Sequence, residues 1–301
     1  MSQGVVTHQF SDPVLNGSIL ETFRVANEKA EKLYKKCGFK EMNSDKAFEE
    51  IAEFAGLGLA PRREELAQGA TDLVKEGYTV RINQYSYSIN MPVSREAMRF
   101  KKYREAIMGS ESINESLWNT VEVLCADVYA NAFSTTTQLL PDGQPICSDS
   151  HKLPRGGTYS TYLGKASFSE TGIEAALIKA AKMPGGSGIP VGVKGVKLII
   201  PEDYKFEAKR ILKSEGQNWT ANNATNALKD EGLDFQCNRF LASASNWFMN
   251  TNSKMGLVVI WTEKPNIVEV GMDLNRATVY SGNMMLGIQC VDPRSTLGSD
   301  I

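Results

Sequence analysis

The 301-residue chain is poor in the residues that most often carry chemistry. It holds only two histidines, His8 and His151, and five cysteines, Cys37, Cys125, Cys147, Cys237 and Cys290. The cysteines are odd in number, scattered and never in a Cys-x-x-Cys pair, which argues against a disulfide framework or a cysteine zinc site and for reduced thiols. Excess positive charge is missing too: 33 basic residues face 35 acidic ones, for a net charge of -2. A surface that grips nucleic acid through many phosphate contacts is therefore not expected, and any contact with DNA is local or non-adhesive. No run nears the ~18 consecutive apolar residues of a membrane helix, and residues 1–8 lack the basic head and apolar core of a secretory leader. These absences predict synthesis in the cytosol. The Asn-x-Ser/Thr triplets at Asn16, Asn114, Asn218 and Asn223 then read as chance matches.

What is present is an ordinary folding composition, 42% hydrophobic and 23% charged. It suits one large domain or two modest ones. Residues 18–37 place Ile19, Leu20, Phe23, Ala26, Ala30, Leu33, Tyr34 and Cys37 at helical spacing, and Gly38 follows as a stop. A shorter helix is expected over Asp45–Phe54, before Gly56-Leu-Gly-Leu-Ala-Pro61. This N-terminal part has no compact core of its own and reads as an arm.

Tyr78, Val80 and Ile82 alternate with polar residues, and Tyr85, Tyr87, Ile89 and Met91 alternate in the opposite phase. That is a long strand-like ribbon with a change of face near Asn83. An isolated two-stranded ribbon is marginal in water, so it needs a partner surface. Ser94 is a candidate N-cap, and the helical pattern after it is expected to break at Gly109-Ser110. It then runs from Ile113 through Leu117, Val121, Leu124, Val128 and Tyr129 to Phe133.

Beyond the Asp142-Gly143 turn signal, Ser167-Phe-Ser-Glu170 resembles a capping box before a helix over 173–181. Val193–Ile200 reads as a strand. Pro201-Glu-Asp starts a helix that ends in Lys209, Arg210 and Lys213, as the helix dipole favours. Short strands are expected at 235–240, 247–249, 256–261, 267–272 and 285–291.

Cys147-Ser-Asp-Ser-His151 raises the question of a Cys or Ser nucleophile with His151 as base. The base of a nucleophile usually comes from elsewhere in a fold, and no Gly-x-Ser-x-Gly elbow is present, so turn-capping hydrogen bonds are the favoured role for Ser148, Asp149 and His151. A metal on Asp149 and His151 lacks further histidine ligands. Arg155-Gly-Gly157 and Gly185-Gly-Ser-Gly188 fit no phosphate-loop pattern and read as turns. The bases Arg95, Arg99, Lys101, Lys102 and Arg104 alternate with Glu96 and Glu105, as on a solvated helix face. No catalytic, cofactor or metal residue is nominated.

The ordered set Tyr129-Ala-Asn-Ala-Phe133, Asp142-Gly143, Ser148-Asp-Ser-His151 and Gly156-Gly157 resembles the major capsid (head) proteins of tailed bacteriophages. Leu198-Ile-Ile-Pro201, Ala208, Ile211-Leu212, Ser214, Asn222-Asn223, Asn226, Leu241 and Asn246-Trp247-Phe248 continue it, so the resemblance spans roughly residues 75–290. Cys147 departs from the pattern, in which an aromatic is common.

The resemblance implies an α+β chain with the Hong Kong 97-type capsid fold. It places an N-terminal arm at 1–57 and an extended β-ribbon loop at 58–93. A peripheral domain with a long spine helix follows at 94–184, then an axial α/β domain at 185–265 and a return to the peripheral domain at 266–301. It implies self-assembly into hexamers and pentamers of an icosahedral virion head that encloses double-stranded DNA. Assembly would occur in the host bacterial cytoplasm, with a separate scaffold or none, and with portal and decoration proteins as possible further partners. Tyr78, Val80, Ile82, Tyr85, Tyr87 and Ile89 are the expected inter-subunit contact residues. An encapsulin-like shell is the alternative, and a Cys/Ser hydrolase centred on Cys147–His151 the remote one.

Overall fold

The longest helical periodicity in the sequence becomes the longest helix of the structure, a computed structural model that describes residues 13–301 apart from 67, 95, 98, 99, 101, 102, 217–225 and 273–276. The chain begins with α1 (Pro13–Lys29), α2 (Leu33–Lys36), β1 (Lys40–Asn43) and β2 (Phe48–Ala55). It continues through β3 (Lys75–Asn83), β4 (Tyr85–Val93) and α3 (Tyr103–Ala130). The small strands β5 (His151–Lys152) and β6 (Thr158–Tyr159) precede α4 (Glu170–Ala181), β7 (Gly195–Ile200) and α5 (Lys205–Lys213). The chain closes with β8 (Asp234–Cys237), β9 (Trp247–Thr251), β10 (Leu257–Met272), β11 (Thr278–Cys290) and β12 (Thr296–Ser299).

Two four-stranded sheets organise the molecule, ordered β1-β10-β11-β4 and β12-β9-β7-β8. The first packs one face on α1, α2 and α3. Period-2 alternation along β10 explains how both faces of that strand are used. Leu257, Val259 and Trp261 join the main core with Ile19, Tyr34 and Tyr129, while Val258 and Ile260 bury the opposite face against Val80 and Ile82 of β3. The second sheet has its own core with α4 and α5, centred on Leu198, Ile200, Ile173 and Trp247.

The 28 residues of α3 span about 42 Å at 1.5 Å per residue. The expected break at Gly109-Ser110 does not occur. Gly109 sits inside the helix because a Cβ there would lie 2.1 Å from Met91 Sδ, so the missing side chain admits β4. Ser110 Oγ donates back to the Ile107 carbonyl at 2.7 Å. One side of α3 is buried at helical spacing through Ile113, Leu117, Val121 and Cys125. Glu122 lies on that side and is only 3% exposed. Burial raises its carboxyl to about 7, against the opposing pull of the Leu33 and Tyr34 backbone N–H groups.

The arm is tied down by polar contacts as well as by its apolar side. The Tyr129 hydroxyl and the Asn250 amide each donate to the Cys37 carbonyl at 2.7 Å, which joins α2, α3 and β9 at one point. Trp118 Nε1 donates to Asn27 of α1 at 2.7 Å.

Several sequence expectations change. The segment 45–54 is not a helix: Phe48–Ala55 is strand β2, paired antiparallel with β3 in a register that sets Ile51 opposite Val80. Val80, Ile82 and the run from Tyr85 do not form one ribbon. The chain crosses at Gln84 from the β2-β3 pair into the first sheet, where β4 pairs with β11. The helix at 170–181 is capped by Ser169, whose Oγ accepts from Gly172 N at 3.2 Å, and not by Ser167. The strands expected at 256–261 and 267–272 are one strand, with register shifts between Trp261 and Glu263, between Glu263 and Asn266 across Pro265, and between Glu269 and Gly271. Ser94 accepts from Ala97 N at 3.2 Å, as an N-cap does. Of the expected basic helix face only Arg104 is described; Arg95, Arg99, Lys101 and Lys102 lie outside the described residues.

Candidate functional site: the ribbon and its root

The ribbon of β2 and β3 carries a long, exposed connection. Between its strands, residues 56–74 carry Leu57, Leu59, Leu66, Leu73 and Val74, all exposed, with Leu59 at 81% and Leu66 at 97%. These five apolar side chains stand in water on one excursion and belong to no core cluster.

Its root is fixed by two arginines. Arg294, buried beside β12, donates to Glu53 of β2 at 2.8 Å, to Asp292 at 3.1 Å and to the Pro184 carbonyl at 2.9 Å. Arg155 donates to Asp72 at 3.0 Å and to the Leu73 carbonyl at 2.7 Å, at the start of the returning strand. The hydrogen bond from Gly58 N, and next the Arg155 guanidinium, hold the Asp72 carboxyl below the usual range. Arg81 lies over the Phe48 ring at 3.8 Å and links the two strands. Burial of Val80 and Ile82 adds roughly 1.5–3 kcal/mol each. At Gly287 of β11 a Cβ would lie 2.4 Å from the Asn83 carbonyl oxygen, so the opposite end of the strand pair, where β3 passes into β4, crosses the sheet where no side chain stands.

The Cys147–His151 loop supports this root. His151 is fully buried. Its Nδ1 is 2.8 Å from Asp142, and its Nε2 is 3.0 Å from Thr161 Oγ1 and 3.2 Å from the Ile146 carbonyl. Burial pushes the Asp142 carboxyl up. The hydrogen bonds from His151 and from the Gln144 and Lys152 backbone outweigh that and leave it below its ordinary value. His151 stacks on Tyr159 with ring centres 5.1 Å apart, and the Arg294 guanidinium lies 4.7 Å from the centre of the same Tyr159 ring. A chain of contacts therefore runs from Asp142 through His151, Tyr159 and Arg294 to Glu53 of the ribbon. Gly156 and Gly157, with φ of +96° and +94°, make the turn that presents Arg155.

The loop does not assemble a nucleophile and base. Cys147 is buried, its thiol pushed well above its ordinary pKa by burial, and a Cβ on Gly298 would lie 2.6 Å from its Sγ. Ser148 Oγ donates to Gln144 at 2.9 Å and accepts from Ser150 N at 3.4 Å. Asp149 is not among the partners of His151 and accepts from Ser160 Oγ at 3.0 Å. Ser148 and His151 thus make the internal hydrogen bonds their turn chemistry suggests. Among the described residues no cluster of three or more His, Cys, Asp or Glu could hold a metal, and no helix is long and apolar enough to cross a membrane.

The expected contact residues separate into two groups. Val80 and Ile82 are buried within their own subunit, and Tyr78 is half-buried beside them on β3. Tyr85, Tyr87 and Ile89 lie on β4 at the edge of the first sheet; Tyr85 is 60% exposed and Tyr87 packs partly on the main core. Sequence reasoning missed Glu53, Arg294 and the leucines of residues 57–73. The Leu57 and Leu59 spacing on both sides of Gly58 was the available signal.

Two packed cores, one long helix and a projecting ribbon are the parts of the Hong Kong 97-type capsid fold. The phage capsid protein family model matches residues 77–297, so this chain belongs to that family. The capsid of Myoviridae phage XM1 aligns with a TM-score of 0.53 at 9% identity, over 90% of this chain and 92% of that one. A structure titled Mycobacterium phage Patience gives 0.54 at 12% identity, over 96% and 87%. The SrpI encapsulin of Synechococcus elongatus gives 0.55 at 6% identity, over 91% and 88%. No curated protein matches in sequence.

Proposed function

We propose that this chain assembles into hexamers and pentamers that close into the icosahedral head of a tailed phage around double-stranded DNA, without catalysis. The observation that carries this reading is the ribbon: a segment with five exposed apolar side chains, anchored at its root by Arg294 and Arg155, is suited to lie across a neighbouring subunit. The near-neutral charge suits a shell that contains DNA without gripping it. The virion is its site of action and the host bacterial cytoplasm its site of assembly. Scaffold, portal and decoration proteins are the further partners of such a role.

In this reading the arm comprises residues up to about 43 and the extended loop is centred on 48–83. The peripheral domain then holds α3 with the first sheet, and the axial domain holds the second sheet with α4 and α5. Tyr78, Tyr85 and Ile89 remain candidate contact residues, joined by Leu57, Leu59, Leu66 and Leu73. Electron microscopy of the purified protein tests the role: closed shells or rings of five and six subunits are expected, and a stable monomer under every assembly condition refutes it.

A cargo compartment is the second reading, favoured by the similarity to the SrpI encapsulin. Shells that copurify with a protein cargo and no DNA would select it over the phage head.

A further inference from the structure

We propose that the lysine-lined pocket at the seam of the two sheets is a seat for the phosphate backbone of the double-stranded DNA that the shell encloses. This rests on the shell reading and adds the place where the wall touches its contents. The pocket has a volume of about 320 Å³ and lies where α2 and β1 meet β7 and the residues that follow β9. Lys35 and Lys36 of α2, Lys40 of β1 and Lys197 of β7 converge on it, and no carboxylate is among its described lining residues. A cleft lined by one sign of charge focuses its field and draws counter-ions.

The positive charge here exceeds its compensation. Lys35 has Glu41 at 2.8 Å, Lys36 has Glu31 at 2.5 Å and Lys197 has Asp234 at 3.8 Å, and all three carboxylates stand outside the lining. Lys40 has no carboxylate partner: its ammonium donates to the Ser253 and Lys254 carbonyls at 2.8 Å and 2.6 Å. Lys254 follows the lining residue Ser253, and the Lys194 backbone donates to the lining residue Asn252 at 3.0 Å. Both lysines are exposed, and neither has an ion-pair partner among the described residues. Asp292, which accepts from Ser253 Oγ at 2.6 Å, is neutralised by Arg294 at 3.1 Å.

The lining also selects the anion. No aromatic side chain is among its described residues, so it offers no surface for stacking a nucleotide base or a single strand. Lysine ammoniums on flexible stems meet phosphates as point charges, without the fixed fork of arginine, which suits a duplex backbone of any sequence. Contact with a few phosphates per subunit is local, and a net charge of -2 allows it.

Anisotropy of a fluorescently labelled duplex of random sequence, titrated with the full-length subunit over a range of salt, tests the seat. The parent should bind, with log affinity falling linearly against log salt. Lys36→Gln, Lys40→Gln and Lys197→Gln together should weaken binding about tenfold at low salt and reduce the slope by about 3, at about 0.9 per phosphate contact. The same three positions changed to arginine keep their charge and should keep both values, which separates lost charge from a damaged fold. Lys209→Gln, Arg210→Gln and Lys213→Gln remove as much charge from α5 and should leave the slope unchanged. No binding by the parent, a slope unmoved by the pocket changes, or an equal loss from the α5 changes overturns the seat, and closed shells of the parent in the electron microscope leave the shell reading intact. Displacement of the duplex by inorganic phosphate, at an ionic strength where sodium chloride does not displace it, would overturn the duplex as the ligand and assign the pocket to free phosphate. A parent that forms no closed shell rejects the shell reading, and enclosed DNA as the ligand with it.

Discussion

Arg294 and Glu53, 241 residues apart in sequence, meet at 2.8 Å where the ribbon leaves the body of the subunit. The guanidinium is buried, held between two carboxylates and over the Tyr159 ring. Desolvation works against its charge, and Asp292, Tyr159 and Glu53 more than compensate. Arg294→Ala leaves Glu53 and Asp292 unneutralised and should cost roughly 3 kcal/mol in urea unfolding. Glu53→Gln, which keeps a hydrogen-bond acceptor, should cost less and still lower the yield of shells. Equal stability of Arg294→Ala and the parent would remove the anchor from the account.

Gly287→Ala should displace the end of β3 at Asn83, because the added methyl meets the Asn83 backbone at 2.4 Å and not a side chain that can turn away. A loss of about 1–3 kcal/mol is expected, the usual cost of overpacking. Thermal unfolding measures it, and an unchanged Tm would contradict the crossing seen here.

His151→Ala should behave as a packing defect. It removes the partner of Asp142 and Thr161 in a fully buried site, for an expected loss of about 2–4 kcal/mol. A variant that keeps its stability but loses an esterase or protease activity would revive a chemical role for the loop.

Two carboxyls give opposite pH dependences. Asp142 is lowered in the folded state, so its stabilisation is complete above the ordinary carboxyl range near 4 and is lost as pH falls through the folded value. Asp142→Asn should flatten the acid limb of the stability curve. Glu122 is raised to about 7, so the folded state holds an extra proton between the ordinary range and neutrality, and stability falls as pH rises through that window. Glu122→Gln should therefore raise Tm at pH 8 and leave it nearly unchanged at pH 4. A Glu122→Gln effect of equal size at both pH values would refute the shift.

Elements built on local periodicity were legible in the sequence. The spine of α3 shows in the spacing of Ile113, Leu117, Val121 and Val128, and the turn before α4 shows in its serines. What escaped was set by contacts distant in the chain. Ile51, Phe54 and Ala55 have helical spacing, yet pairing with β3 makes β2 a strand. Gly109-Ser110 looks like a helix stop until Met91 is found against it. The loop at 142–161 advertised reactive groups, and only the contacts of Tyr159 with both His151 and Arg294 link them to the ribbon. The stretch that carried the family resemblance, roughly 75–290, nearly coincides with the family match at 77–297.

A reconstruction of the assembled particle shows where each ribbon lies. A closed shell of five- and six-subunit rings is expected, with every ribbon across the neighbouring subunit and Leu59 and Leu66 covered. A ribbon folded back on its own subunit, or no closed particle under any assembly condition, would contradict it.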